Sequence, residues 1–124
     1  MKLLVLAGLA GLMTAGSFGA LAAKPASQDA CFLTRDLRGH TLGEDGHTLY
    51  FDVNGRDIYQ VTASNNCLTA VTRSDPIVLR DRGLGKICHP LDLELSVRGN
   101  RCIIGGLTRL TPAEASALPK RLQP

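Results

Sequence analysis

Two histidines and two acidic residues stand close together in a glycine-rich stretch of the chain. They are His40, Glu44, Asp45 and His47. Imidazole and carboxylate groups grouped in this way could bind a metal ion or act as an acid–base pair. Polar residues in glycine-rich connections are usually solvated surface groups, and we favour that interpretation. A small metal-dependent or hydrolytic enzyme that uses the His40–His47 loop is therefore the alternative function.

A basic segment, RDRGLGK at residues 80–86, is a second candidate site. Its glycines resemble those of a phosphate-binding loop, but the pattern G-x-x-x-x-G-K-[ST] is absent and no long helix follows to supply an amino-terminal dipole. The cations of the segment could still form a weak anion-binding patch. We predict Arg80, Arg82 and Lys86 as the ligand-binding residues of such a patch.

The sequence contains no further catalytic pattern. A nucleophilic mechanism needs an activated serine or cysteine beside a base, and no G-x-S-x-G motif occurs. We therefore predict that the chain is not an enzyme and that it has no catalytic residues, no metal site and no cofactor.

The four cysteines are better explained as two disulfides. They are Cys31, Cys67, Cys88 and Cys102, separated by 36, 21 and 14 positions. These spacings contain no C-x-x-C, which zinc sites normally use. An even number of cysteines in an exported chain is typical of a disulfide framework.

The first 22 residues indicate export. Met1 and Lys2 precede the apolar run LLVLAGLAGLM, and a small-residue stretch ends at Ala22, which is the layout of a secretory signal peptide cleaved after that residue. The run is short for a membrane span, so we expect no stable membrane insertion after cleavage, with a retained anchor as the alternative. No cysteine stands at the cleavage point to carry a lipid. We predict a periplasmic or secreted protein with a disordered leader at residues 23–30.

Length and charge restrict the partners. Removal of 22 residues from 124 leaves 102, enough for one domain. Without Lys2 the mature chain carries 13 Lys and Arg against 11 Asp and Glu, a net charge of +2. So small a charge, with few aromatic residues and no Trp, argues against nucleic acid and membrane surfaces. We expect a non-enzymatic module that binds a protein, an envelope component or a small molecule through its loops or a sheet edge.

The strongest local signal is a β-hairpin at residues 48–61, TLYFDVNGRDIYQV. Asn-Gly between two apolar-alternating runs predicts a type I′ turn, which needs positive φ at both central residues. A two-residue turn pairs Phe51 with Ile58 on the core face and places Tyr59 on the opposite face.

The same register has one defect. It sets Asp52 opposite Asp57, and like charges directly opposite each other are destabilising. Either Arg56 and water compensate for this repulsion, or the turn is longer by one or two residues. A cation held between the two carboxylates is disfavoured, because calcium sites gather more oxygen ligands than two.

The rest of the chain reads as short strands and turns. We predict strands at 31–35, 67–72, 77–79, 91–97 and 102–104, and a loop at 36–47. Thr111, Pro112 and Glu114 form a capping box that starts a helix of about two turns. The pattern predicts a mostly-β fold, a small antiparallel β meander forming a barrel or a two-sheet sandwich, with a short C-terminal helix and two disulfides. The β domain would span 31–110, and a short helix and tail would follow at 111–124.

Strand directions predict how the cysteines pair. In an up-and-down order Cys31 and Cys88 lie at the end of the sheet that carries the Asn54-Gly55 turn, and Cys67 and Cys102 lie at the other end. Because bridged Cα atoms must come within about 7 Å of each other, we predict the disulfides Cys31–Cys88 and Cys67–Cys102. The alternative joins neighbours in sequence, Cys31 to Cys67 and Cys88 to Cys102.

Several short motifs are spread along the predicted β domain. They are the cysteine that opens the first strand, T-L-Y-F and N-G-R-x-I-Y in the hairpin, Cys67-Leu68, Ile87-Cys88, and Cys102-Ile103-Ile104 followed by Leu107. Together they resemble a family of small exported proteobacterial proteins of unknown function, in which a signal peptide or lipoprotein signal precedes a four-cysteine β domain. The resemblance covers residues 31–110 and implies the same fold and compartment. It brings no catalytic residues, and this chain lacks the cysteine of the lipoprotein relatives.

Overall fold

The structure is a computed structural model that describes residues 31–83 and 85–124. The predicted signal peptide and leader, residues 1–30, lie outside the described residues. Within the described ranges, no helix is long and apolar enough to cross a membrane.

The described chain is built mainly from short strands. These are β1 Phe32–Leu33, β2 Leu37–Leu42, β3 Thr48–Val53, β4 Asp57–Ala63, β5 Ile77–Asp81, β6 Lys86–Ile87, β7 Leu93–Val97, β8 Asn100–Cys102 and β9 Ile104–Arg109. One α-helix, α1 Pro112–Ala117, follows them. Single turns of 3₁₀ helix occur at Thr34–Asp36, Pro90–Asp92 and Lys120–Leu122.

The strands form three antiparallel sheets. The largest has the order β2-β3-β4-β9, the second β5-β7-β8, and β1 pairs with β6 in a two-stranded ribbon. The mostly-β fold with a short C-terminal helix is confirmed.

Alternate residues of the strands face one shared core, as expected for sheets that are solvated on one side. Buried side chains from β3, β4, β7 and the ribbon belong to a single hydrophobic cluster. Its most deeply buried members are Leu49, Val61, Ile87, Leu95 and Val97. The two larger sheets have separate hydrogen-bonded ladders and share this core, so the described strands do not form one closed barrel.

The predicted disulfide pairing is confirmed. Cys31 is bonded to Cys88 with a Cα–Cα distance of 4.3 Å, and Cys67 to Cys102 with 5.2 Å. The first bridge closes the ribbon where β1 begins and β6 ends. The second joins the end of β8 to a segment, residues 64–76, that has no strand.

The hairpin forms at the predicted place, but the predicted two-residue register is wrong. Asn54 and Gly55 both have positive φ, 59° and 68°, and the Arg56 amide donates to the Val53 carbonyl. The ladder nevertheless pairs Val53 with Asp57, so Arg56 is an additional turn residue. The longer turn was the alternative that the sequence left open. It means that Asp52 and Asp57 no longer lie directly opposite each other.

The one-residue shift also exchanges the faces of β4. Tyr59 now lies opposite Phe51 and is buried, whereas Ile58 lies opposite Asp52 and is only half-buried. The Tyr59 ring packs on Phe32 with centroids 4.7 Å apart. Core packing of Tyr59 and Val61 therefore fixes the register that the turn alone left open.

Two other local predictions are wrong. Residues 36–47 contain a six-residue strand, β2, whose ladder to β3 carries an irregularity between Leu37 and Gly39. The predicted strand at 67–72 is a series of turns, because Asn66 and Leu68 carbonyls accept local bonds from Thr69 and Val71. Local hydrogen bonds of this kind compete with a sheet ladder.

The carboxyl-terminal predictions are closer to the structure. The Thr111 hydroxyl accepts from the Glu114 amide, and the Glu114 carboxylate accepts from the Thr111 amide, so the predicted capping box is confirmed. Beyond α1 the chain returns along β2, where the Thr41 hydroxyl donates to the Leu122 carbonyl and Arg121 pairs with Glu44.

A matched pair of glycine variants tests the hairpin turn. A Cβ at Gly55 would meet no atom within 4 Å, so Gly55→Ala isolates the cost of the positive φ. We expect this variant to lose about 1 kcal/mol of unfolding free energy in urea denaturation. Gly39→Ala adds a Cβ to equally open space at a residue without positive φ, and should be neutral or slightly stabilising. Equal effects of the two substitutions would contradict the turn geometry.

Candidate functional site

The four side chains of the His40–His47 loop take different partners. His47 Nδ1 lies 3.2 Å from the Asn65 carbonyl oxygen, and Glu44 pairs with Arg121. His40 lies in β2, and its ring stands against Phe51 with centroids 6.3 Å apart. Among residues 31–83 and 85–124, no three His, Cys, Asp or Glu residues are grouped so that they could hold a metal ion.

Asp45 has a structural role in the same loop. Its carboxylate accepts the His47 amide at 2.9 Å, the Thr48 amide at 2.9 Å and the Thr48 hydroxyl at 2.7 Å. These bonds, led by that from the Thr48 hydroxyl, lower the pKa of Asp45, because they favour the ionised form. The carboxylate holds the turn between β2 and β3 and is already satisfied by its own loop.

The basic segment is also organised by a carboxylate. Asp81 Oδ1 accepts the amides of Gly83 and Gly85 at 3.2 and 3.1 Å. These are the backbone donors that a phosphate-binding loop would turn toward its ligand. These two amides are therefore already bonded and are not free for an anion.

The three predicted ligand-binding residues occupy exposed positions around this loop. Arg80 lies in β5 opposite Glu94, Arg82 follows the strand, and Lys86 begins β6. The Arg82 amide donates to the Asp92 carbonyl, which anchors the segment to the 3₁₀ turn before β7. Their role in ligand binding stays a prediction.

Two further carboxylates stabilise turns in the same manner. Asp92 Oδ2 accepts the amides of Cys88 and His89, both at 2.9 Å, and Asp75 accepts the Thr72 amide while pairing with Arg98. The backbone hydrogen bonds are the largest cause of the lowered pKa of each aspartate. Asp75 and Asp92, like Asp45, therefore hold the backbone of their own turns.

An apolar groove lies where the edges of the two larger sheets meet. The groove encloses about 210 Å³ between β2 and β5. Its lining residues are Leu37, Arg38, Gly39 and His40 of β2, Phe51 of β3, and Ile77 and Leu79 of β5. Both β2 and β5 are edge strands with one neighbour each in the described part of the chain.

The other two edge strands of the two larger sheets, β9 and β8, are covered. The 3₁₀ turn at Pro90–Asp92 packs against β9. At β8, the Asn65 side chain donates to the Arg101 carbonyl at 2.9 Å and accepts the Ile103 amide at 3.0 Å. Unpaired backbone groups are a ready template for another strand. Of the two larger sheets, β5 therefore has the more open edge in the described part of the chain, since the C-terminal segment lies along β2.

The ionisable side chains that line the groove are Arg38 and His40. His40 lines it beside Phe51, and partial burial lowers the pKa of its imidazole, so the ring is uncharged at neutral pH. Arg38 lines the groove as well. Among the residues described as lining it, none is acidic. The groove therefore combines an apolar surface with positive charge.

The sequence pointed to His40, which lines the groove, and to Arg80, which lies on β5 with its side chain on the other face, but not to the groove itself. Leu37, Ile77 and Leu79 read as ordinary strand residues, and the segments that carry them lie about forty positions apart. Only the three-dimensional arrangement brings the two edges together.

Comparisons of the chain with protein-family models, with curated proteins and with solved structures found no match.

The role of Asp45 predicts a specific dependence of stability on pH. Since folding lowers the pKa of Asp45, its contribution is complete above the unfolded value near 4 and is lost as the pH falls below it. We expect Asp45→Asn to be less stable than wild type at pH 7, and the difference to shrink by about pH 3, in urea unfolding at both pH values. Comparing the two proteins removes the contributions of Asp75 and Asp92.

Thr48→Val provides the control for that measurement. It removes the hydroxyl bond to Asp45 and keeps both backbone donors, so its pH dependence should lie between those of wild type and Asp45→Asn. If wild type and Asp45→Asn lost stability in parallel on acidification, the carboxylate would not hold this turn.

Proposed function

We propose that this chain is an exported, non-enzymatic binding module that takes up an extended segment of a partner protein along β5. The observation that carries the proposal is an unpaired strand edge beside an apolar groove with cationic side chains. Strand addition of this kind obtains affinity from main-chain hydrogen bonds and specificity from pockets for alternate side chains.

β5 offers a better template than β2. Its five residues pair with β7 without interruption, from Ile77 opposite Val97 to Asp81 opposite Leu93. The ladder of β2 is broken by the irregularity between Leu37 and Gly39. Because such an irregularity bends a strand and disturbs its hydrogen-bonding row, a partner strand would pair with β5, while β2 would form the far wall of the groove.

The alternation along β5 defines the chemistry of the partner. Ile77 and Leu79 line the groove, whereas Val78 and Arg80 are exposed on the opposite face. A strand added to β5 would therefore place apolar side chains into the groove and acidic side chains beside Arg80. Arg82, the next residue to follow the strand, extends the positive charge. The proposed partner segment alternates apolar and acidic residues.

The alternative, a small metal-dependent or hydrolytic enzyme, has less support. It would require the four side chains of the His40–His47 loop to converge on one ion or one substrate. In the structure Asp45 is bonded to its own turn and Glu44 to Arg121. The proposed binding function instead uses the free edge of β5 and the exposed Arg80.

Export is the second part of the proposal. Two disulfides are typical of an oxidising compartment. The signal-peptide pattern of residues 1–22 agrees with this chemistry, since both belong to chains that leave the cytoplasm. We place the protein in the periplasm or the extracellular medium.

A synthetic strand tests the binding function. The probe is a fluorescent, end-capped peptide of seven alternating valine and glutamate residues, titrated by fluorescence anisotropy. We expect saturable binding with protection, in hydrogen exchange, of the alternate amides of residues 77–81 that point away from β7. Arg80→Glu should weaken binding by at least about tenfold, because it sets like charges opposite each other.

The control variant is Arg101→Glu, which makes the same change of charge on the exposed face of β8 and should bind as wild type does. A peptide with N-methylated backbone amides should bind weakly, since it cannot complete the ladder. Equal affinity for both peptides, or equal loss in both variants, would contradict strand addition to β5.

Intact mass tests the export proposal. The full chain, expressed in a Gram-negative host and recovered from the periplasm, should begin at Ala23 and should contain no free thiol. Its mass should be that of residues 23–124 less four hydrogen atoms. A protein that retains residues 1–22 or reacts with a thiol reagent before reduction would argue against cleavage and export.

A further inference from the structure

A second concavity lies at the opposite end of the large sheet from the β2–β3 turn. It encloses about 260 Å³ where the hairpin turn, the start of β4, the end of β9 and the start of α1 come together. The Leu110 amide donates to the Ile58 carbonyl at 2.8 Å and holds these segments against each other. We call this concavity the Arg109 pocket. It is separate from the groove along β5 and shares no lining residue with it.

The Arg109 pocket contains a guanidinium group with unused donors. Arg109 Nη2 lies 2.8 Å from Asp57 Oδ1, and this ion pair orients the guanidinium. A guanidinium carries five N–H groups, and within the described residues Arg109 forms only this one side-chain bond. The remaining donors match the geometry of a carboxylate, which arginine can bind through two parallel bonds.

The local charge also favours an anion. Arg56, the additional residue of the hairpin turn, is exposed and lines the pocket together with Arg109. Two cations against the single carboxylate of Asp57 leave an excess of one positive charge at the rim. A monoanion would neutralise this excess.

The floor of the pocket is apolar. Ile58, Leu110 and Pro112 line it, and Leu110 is 8% exposed. The volume is smaller than the roughly 300–1,000 Å³ of pockets for drug-sized ligands. A ligand that satisfies both surfaces is small and has a charged head beside an apolar chain.

We infer that the Arg109 pocket binds a small carboxylate that carries a short apolar chain. The carboxylate pairs with Arg109 and Arg56, and the chain lies on Ile58, Leu110 and Pro112. This inference does not rest on the proposed strand addition. The same chemistry is offered by a free aliphatic acid and by the carboxyl terminus of an apolar peptide.

The test is a titration of the mature protein with octanoate, followed by ¹H–¹⁵N NMR. We expect saturable shift changes concentrated at residues 56–58 and 109–115. Octanamide, which lacks the charge, and acetate, which lacks the chain, should each bind at least tenfold more weakly. A capped peptide ending in a free leucine carboxylate distinguishes the sources: tighter binding than octanoate assigns the pocket to a chain terminus, and weaker binding assigns it to a free acid.

Two variants and one control complete the experiment. Arg109→Gln should weaken octanoate binding at least tenfold, but it also breaks the ion pair with Asp57, so its fold is verified by circular dichroism. Arg56→Gln leaves that ion pair intact and should weaken binding several-fold. Arg101→Gln makes the same charge change on the exposed face of β8, outside both proposed sites, and should leave octanoate affinity unchanged.

Three results would overturn the inference. They are shift changes centred on residues 37–40 and 77–79, equal weakening by Arg101→Gln and Arg56→Gln, and no saturable binding of octanoate. Each leaves the valine–glutamate peptide experiment unaffected, so failure of this pocket and failure of the β5 groove are distinguishable.

Discussion

The two disulfides hold segments that the sheets alone would leave without support. Cys67 and Leu68 are buried in the core although no strand is formed between residues 64 and 76, and the bridge to Cys102 fixes that segment at the end of β8. In the loop-entropy treatment, bridges that close loops of 57 and 35 residues each stabilise the fold by about 4 kcal/mol. A small core without Trp has need of such links. The second bridge thus holds a strand-free segment against the core that the two larger sheets share.

The disulfide pairing was predicted correctly from strand directions, although two of the strands used for it are not formed as predicted. The first strand pairs with β6 rather than with β3, and residues 67–72 form turns. The prediction held because each cysteine still lies at the end of the molecule that was expected relative to the Asn54-Gly55 turn. The register of the same hairpin was not predictable from the turn residues. The repulsion between Asp52 and Asp57 indicated the defect, but only the packing of Tyr59 against Phe32 decides that the turn has one more residue.

In the candidate sites, too, features that depend on neighbouring residues can be predicted from the sequence, and features that depend on distant segments cannot. The spacing of Asp45 and Thr48, three residues apart, is a local signal for a capped turn, and the capping box at Thr111 was read from the same kind of pattern. The groove at β5 and the Arg109 pocket join segments that are distant in the sequence. Neither leaves a motif, since their residues are ordinary strand and turn residues until the fold places them together. The acidic and histidine residues that looked most reactive in the sequence are held by neighbouring backbone or side-chain groups.

An open strand edge must be protected from pairing with a second copy of the same chain. β2 is protected by its irregularity at Leu37 and Gly39 and by the C-terminal segment, whose Leu122 carbonyl accepts the Thr41 hydroxyl. β5 has no irregularity. If a partner strand is added to β5, charge would select it: an acidic strand would be attracted by Arg80 and Arg82, and a strand with cations at the same positions would be repelled. A repulsive element of this kind provides specificity where main-chain hydrogen bonds cannot distinguish one strand from another.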